Sequence, residues 1–182
     1  KALVTFYANS ESYLQLVSLF MMFSEEEALS TGDYQKTLKL LNEASKYSRL
    51  IDTWDNLEDG RILANKINST TKFLEAKRLF SQEGNVEDGK KLCLELLQSR
   101  VDPSPVQLGD IFASLIEHET DNQVSFELVN QMIKKNIIVE EFLDSDLVEH
   151  LFKANGKVWG NQSLIDEKQS FYTEEDALFH LS

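Results

Sequence analysis

The sequence predicts an all-α chain of antiparallel helix pairs, and three observations carry that prediction. Apolar residues recur at helical spacing along most of the chain, as in Leu14, Val17 and Met21. Only 7 Gly and 2 Pro occur among the 182 residues, which favours helices with short connections over a β-sandwich with many turns. Residues alternate as they do in strands only over residues 136–140.

The first three helices are predicted from apolar periodicity and from the signals that end it. Helical patterns cover residues 1–7 and residues 13–28, and a third covers residues 34–46. Gly32 interrupts the pattern between the second and third helices, and Asp33 is the expected N-cap of the third. These signals predict a tight connection between two neighbouring helices.

The remaining elements follow from the same signals. A long helix is predicted over residues 55–81, and Gly84 and Asn85 separate it from the next helix. The β-branched run near residue 140 reads as extended chain. The other predicted elements are a helix over residues 86–98, a loop over 101–105, helices over 106–119 and 123–134, an extended segment over 136–143, and a short helix from Ser145 to about Asn155.

A small residue followed four positions later by a large apolar one recurs in every second helix. The four small residues are spaced by 35, 52 and 36 positions, and two of these intervals are close to one repeat of paired helices. The pattern is similar to the tetratricopeptide repeat, so we expect each small residue to be buried at a helix–helix contact. The alternative is an irregular helical bundle with chance spacings. The pairs are Ala2 and Phe6, Thr37 and Leu41, Gly89 and Cys93, and Ser125 and Val129.

The repeat pattern predicts three regions. Residues 1–134 are the helical repeat region, which we expect to be the C-terminal part of a longer chain because the sequence opens inside a helix. Residues 135–156 are an extended segment followed by a short capping helix. Residues 157–182 form an acidic tail that contains aromatic residues.

Charge excludes several classes of partner. The formal net charge is −13 and the isoelectric point is about 4.6, whereas a nucleic-acid surface needs clustered Lys and Arg. Anionic membranes would repel the chain, and its longest apolar stretch, residues 14–23, is too short to cross a bilayer. The single cysteine, Cys93, fits a reducing, cytoplasmic compartment.

Catalytic, metal-binding and cofactor-binding constellations are not apparent in the sequence. His118 is flanked by two Glu residues but lacks a second His one helical turn away, so we expect it to be a surface residue. Cys93 lies at a repeat position that predicts burial and an inert thiol. Residues 13–28 and 106–119 contain no Lys or Arg, which argues against a clamp for a C-terminal carboxylate. We therefore expect no enzyme activity, cofactor, metal or small-molecule ligand, and a broad protein–protein surface instead.

The tail combines acidic and aromatic residues. It holds two Lys against five acidic residues, and a disordered spacer is usually poorer in aromatics. We expect Trp159 to pack back on the repeats and the distal part of the tail to bind a partner protein. The alternative is that the distal part caps the terminal repeat of this chain. The expected partner-binding residues are Phe171, Tyr172, Phe179 and Leu181.

Four segments together resemble a specific family, the C-terminal tetratricopeptide-like region of the 140-kilodalton subunit of intraflagellar transport complex A. The resemblance covers residues 1 to about 156. It is carried by residues 1–7 (KALVTFY), residues 34–38 (YQKTL) with 42–44 (NEA), residues 108–112 (LGDIF) with 115–118 (LIEH), and residues 142–156.

The resemblance implies WD-repeat β-propellers upstream and an α-solenoid that ends here. It implies retrograde transport within cilia, entry of membrane proteins into them, and other subunits of the same complex as partners. The implied location is the cytoplasm and the cilium, including the basal body and axoneme. Two alternatives remain: a repeat region of a vesicle coat or other trafficking adaptor, and a regulatory helical domain attached to an enzyme.

Overall fold

The structure is a computed structural model that describes residues 2–9, 12–51, 58–82, 84–100 and 104–159. Every regular element in these ranges is helical, which confirms the all-α prediction. None of the described helices is long and apolar enough to cross a membrane. The α-helices are α1 (Ala2–Asn9), α2 (Tyr13–Thr31), α3 (Tyr34–Ser48), α4 (Glu58–Phe80), α5 (Val86–Gln98), α6 (Leu108–Glu117), α7 (Asn122–Lys134) and α8 (Ser145–Ala154).

The chain forms two compact units, Lys1–His118 and Glu119–Ser182. The first unit contains α1 to α6, and the second contains α7 and α8. The helix α7, which the sequence assigned to the repeat region, therefore lies in the second unit.

Within the first unit each helix packs mainly against its neighbours in sequence. The closest pairs are α2 with α3 and α4 with α5, and further contacts join α3 to α4 and α5 to α6. Contacts limited to neighbouring elements are typical of repeat proteins. This packing agrees with the tetratricopeptide-like helix pairs that the sequence predicts.

The connection between α2 and α3 forms as predicted. Gly32 adopts a left-handed conformation (φ 63°), and its N–H donates to the carbonyl of Ala28. The Asp33 side chain accepts a hydrogen bond of 3.0 Å from the backbone N–H of Lys36. That bond holds the pKa of Asp33 below its usual value. With only two residues between the helices, the chain reverses direction at once.

Three of the four predicted small-residue contacts are confirmed. Thr37, Gly89 and Ser125 are buried. A Cβ on Gly89 would lie 2.8 Å from a ring carbon of Phe80, so α4 and α5 approach closely there. The prediction for Ala2 is wrong: Ala2 is exposed, because none of the described helices covers its face of α1.

The apolar core of the first helix pairs joins α2, α3 and α4. Fully buried side chains from the three helices meet, and partly buried aromatic rings such as Phe20 and Tyr47 stack beside them with centroids 5.8 Å apart. This core holds the α2–α3 pair against α4. Its central members are Val17, Leu41, Ala44 and Leu63.

The second unit is built on the packing of α7 against α8. The rings of Phe126 and Phe152 meet edge to face with centroids 5.0 Å apart. Asp144 caps α8 by accepting from the N–H of Asp146 at 2.8 Å. The short helix that the sequence predicts from Ser145 is confirmed.

The extended conformation predicted for residues 136–143 is wrong. Asn136 has a positive φ of 57°, and Val139–Glu141 form one turn of 3-10 helix. The N–H of Leu143 donates to the carbonyl of Val139 at 3.0 Å, and both side chains are buried. Burial of residues four apart on one side of a turn explains why an apolar β-branched run does not become a strand here.

Candidate protein-binding surfaces

A short segment that precedes α6 connects distant parts of the first unit. We call residues 104–107 the crossing segment, because they reach from the end of α5 to the turn between α2 and α3. The Gln107 side-chain amide donates to the carbonyl of Ala28 at 3.1 Å, and the Gln107 N–H donates to the hydroxyl of Tyr34 at 3.1 Å. Arg100 donates to the carbonyl of Val106 at 2.8 Å. The crossing segment is thus held by contacts on both sides.

Tyr34 fixes the far end of this segment. Its hydroxyl donates to the carboxylate of Asp110 in α6, and its ring meets Phe73 of α4 edge to face at 5.0 Å. Burial raises the pKa of Tyr34, and the bond to Asp110 raises it further. A neutral, buried phenol therefore joins the first helix pair to α6 although α4 and α5 separate them in sequence.

Lys66 occupies a core position on α4. The buried residues of that helix are Leu63, Lys66, Thr70, Phe73 and Ala76, which all lie on one face. The Lys66 side chain is 1% exposed, and its Nζ lies 2.7 Å from Oε1 of Glu25 on α2. A buried ammonium is tolerated only when it is paired, so Glu25 is required by the burial of Lys66.

Two adjoining clefts open beside the crossing segment. The amide cleft, with a volume near 40 Å³, is lined by Asn65, Asn68, Ser69 and Lys72 of α4 and by Arg100 and Ser104 opposite them. The Leu29 cleft, with a volume near 350 Å³, is lined by Glu25, Leu29, Lys66, Arg100, Ser104 and Leu108. Arg100 and Ser104 line both clefts, so the two are continuous.

The lining of these clefts differs in charge from the rest of the chain. Lys66, Lys72 and Arg100 line them, whereas Glu25 is the one acidic residue among the described lining residues and is paired with Lys66. Lys72 also lies 3.5 Å from Glu95 of α5, at a partly exposed position. A chain of net charge −13 therefore presents a locally cationic surface with amide and hydroxyl groups around it.

His118 and Cys93 have packing roles in the structure. The His118 ring is partly buried, stacks on Phe80 at a centroid distance of 4.0 Å, and places Nδ1 2.9 Å from the carbonyl of Ser114. The sequence predicted an ordinary surface histidine and missed this stack. Cys93 is buried as predicted, and burial raises its pKa to about 12. Within the described ranges no cluster of His, Cys, Asp or Glu could hold a metal ion.

The second unit has a cleft of its own beside the end of α8. It has a volume near 550 Å³ and is lined by polar residues of α8 together with Val158 and Trp159. The Trp159 ring lies 4.8 Å from that of Phe152, and Lys157 Nζ lies 5.1 Å above the ring of Phe126. Trp159 therefore packs on the short helix α8.

The partner-binding residues predicted for the tail, Phe171, Tyr172, Phe179 and Leu181, lie outside the described residues. The surfaces described above were not predicted. The sequence analysis counted the bases of the helices that begin at residues 13 and 106, but α4 carries the Lys and Asn residues that line the amide cleft. A count extended to α4 would have found them.

Comparison with known proteins gives one family. The family model described as the C-terminal TPR domain of the 140-kilodalton intraflagellar transport protein matches residues 15–137, which is more than half of the chain. No curated protein sequence matches the chain significantly.

Proposed function

Because this chain belongs to the family of C-terminal TPR domains of the 140-kilodalton intraflagellar transport protein, we propose that it is a non-catalytic scaffold segment of an intraflagellar transport complex of type A. Tetratricopeptide-type helix pairs are a protein-interaction fold, and the family match over residues 15–137 is the observation that carries the proposal. The proposed partners are other subunits of that complex. The proposed process is retrograde transport in cilia and the entry of membrane proteins into them.

The fold supports a binding role. Stacked helix pairs bury one face against their neighbours and leave long polar faces available to other proteins. In the first unit α4 buries the face that contains Phe73 and exposes the face that contains Asn65 and Asn68. We propose that the chain has no catalytic site, cofactor or metal of its own, and that it resides in the cytoplasm and the cilium.

Expression of the tagged chain in ciliated cells tests this proposal. We expect enrichment at the ciliary base and along the axoneme, and copurification with the other subunits of the transport complex. The matched control is the Gly89→Leu variant, in which α4 and α5 cannot pack closely. Copurification with vesicle-coat proteins, or with an enzyme, in place of the transport subunits would favour the corresponding alternative.

We also propose that the tail contributes a partner contact through Phe171, Tyr172, Phe179 and Leu181. Aromatic side chains supply much of the binding energy in many interfaces. Changing Phe171, Tyr172 and Phe179 together to Ala should weaken copurification and leave the melting temperature nearly unchanged. An unimpaired assembly would show that the tail is not required, and a large fall in melting temperature would show that it caps its own chain.

A further inference from the structure

We infer that the amide cleft and the Leu29 cleft form one docking site for an acidic segment of a partner protein. The inference rests on the proposed protein-binding role, but it concerns a different surface from the tail. It assigns to this surface a partner whose carboxylates lie next to an apolar side chain.

The first step concerns the positions of the donors. Asn65, Asn68, Ser69 and Lys72 are spaced by three, four and seven residues from Asn65, so they share one face of α4. Asn and Ser offer neutral donors, and Lys72 offers a charged one. Arg100 faces them across the same cleft, and its fork of N–H groups suits a carboxylate.

The second step concerns charge. Lys66, Lys72 and Arg100 outnumber the single lining carboxylate, Glu25, in a chain whose acidic residues greatly outnumber its basic ones. An acidic segment is repelled by most of this chain and attracted at these clefts, which gives the site both affinity and register. Three cations fit a few carboxylates and are too few to hold a long polyanion such as duplex DNA.

The third step concerns the apolar rim. Leu29 is 71% exposed and lines the wider cleft together with the partly buried Leu108. An apolar side chain of the partner could cover Leu29 while its neighbouring carboxylates reach Arg100 and Lys72. Burial of the exposed leucine would add a hydrophobic contribution to the charge pairing.

The floor of the site is rigid before any partner binds. Lys66 is held by Glu25, and the crossing segment is held by Arg100, Gln107 and Tyr34. A surface that is already ordered loses little entropy on binding. The partner therefore supplies the flexible element, as an extended acidic segment.

The test uses the whole chain and a fluorescein-labelled peptide with the sequence Glu-Glu-Leu-Phe-Glu-Glu, followed by fluorescence anisotropy. The variant Asn68→Asp adds one negative charge to the amide cleft without changing the size of the side chain. A like charge a few ångström from the peptide carboxylates should weaken binding by about tenfold at low salt. Asn42→Asp, at an exposed site on α3 that lines neither cleft, is the matched control and should bind like the parent.

A second variant removes attraction without adding repulsion. Lys72→Gln should also weaken binding, whereas Lys39→Gln on α3 should not. Equal affinity of Asn68→Asp and the parent, equal binding of a peptide with Gln in place of Glu, or tighter binding of a DNA duplex than of the peptide would each overturn the inference. Since ciliary enrichment is measured separately, loss of peptide binding alone would leave the proposed function standing.

Discussion

The helix pair α2–α3 can be compared with the pair α4–α5, which follows it in the chain. In both pairs the second helix buries a small residue, Thr37 or Gly89, and a larger residue four positions later. The first helices differ. The helix α2 contains no Lys or Arg, whereas α4 carries a buried lysine and a row of amide and basic side chains.

The difference separates what the repeat requires from what it permits. The small residues set how closely two helices approach, and this constraint is met in both pairs. The positions between them are free to vary, and α4 uses them for the clefts beside the crossing segment. The two pairs are joined by the ion pair of Lys66 and Glu25 and by the core around Leu41 and Leu63.

The largest expected effect comes from the close approach within the second pair. Replacing Gly89 with Leu should lower the free energy of unfolding by about 3 kcal/mol, because even a Cβ would meet the ring of Phe80 and the carbonyl of Ala76. Chemical denaturation measures the change. The exposed neighbour Asp88, changed to Leu, is the control and should cost much less. Equal stability of Gly89→Leu and the parent would show that the repeat register is wrong.

A smaller effect is expected from the ion pair between the two pairs of helices. Glu25→Gln should destabilise the chain by about 1–3 kcal/mol, because Lys66 would keep a buried charge without its partner, while partial exposure of Glu25 limits the loss. Glu26→Gln, at the exposed neighbouring position, should have little effect. Replacing Lys66 with Met should restore stability to the Glu25→Gln variant. A double variant less stable than Glu25→Gln would contradict this account of the pair.

The smallest effect is expected where the crossing segment meets the first pair. Tyr34→Phe removes the hydrogen bonds to Asp110 and Gln107 and should cost about 1–2 kcal/mol at neutral pH. The pKa of Tyr34 is raised in the folded state, so its contribution is present below pH about 10 and is lost as the unfolded phenol ionises above it. The stability difference between parent and variant should therefore shrink in alkali. A difference that grows above that pH would contradict the buried, neutral phenol.

Local signals predicted most of the fold. The Gly32 and Asp33 connection, the helix Val86–Gln98 and the burial of Cys93 follow from capping chemistry and apolar period, and the structure confirms them. The repeat pattern failed at Ala2, where burial depends on a second helix that only the three-dimensional packing can reveal. Local propensity also failed at residues 136–143, where β-branched residues pack on a turn.

The candidate site was harder to predict because it depends on distant contacts. Tyr34 and Asp110 are 76 positions apart, and Lys66 and Glu25 are 41 apart, so neither pair has a local signal. The burial of Lys66 was partly predictable, because it shares a helical face with Leu63, Thr70 and Phe73. The partner of that lysine could be identified only once α2 was seen to pack against α4.

Zero-length carbodiimide cross-linking of the chain within its assembled complex tests the central claim most directly, namely that α4–α5 carries the binding surface and α2–α3 the packing. Lys72 on α4 and Lys39 on α3 are compared by mass spectrometry, with the link between Lys72 and Glu95 as the internal control. We predict links from Lys72 to Asp or Glu residues of a partner and no more than background from Lys39. Partner links from Lys39 together with none from Lys72 would contradict the account.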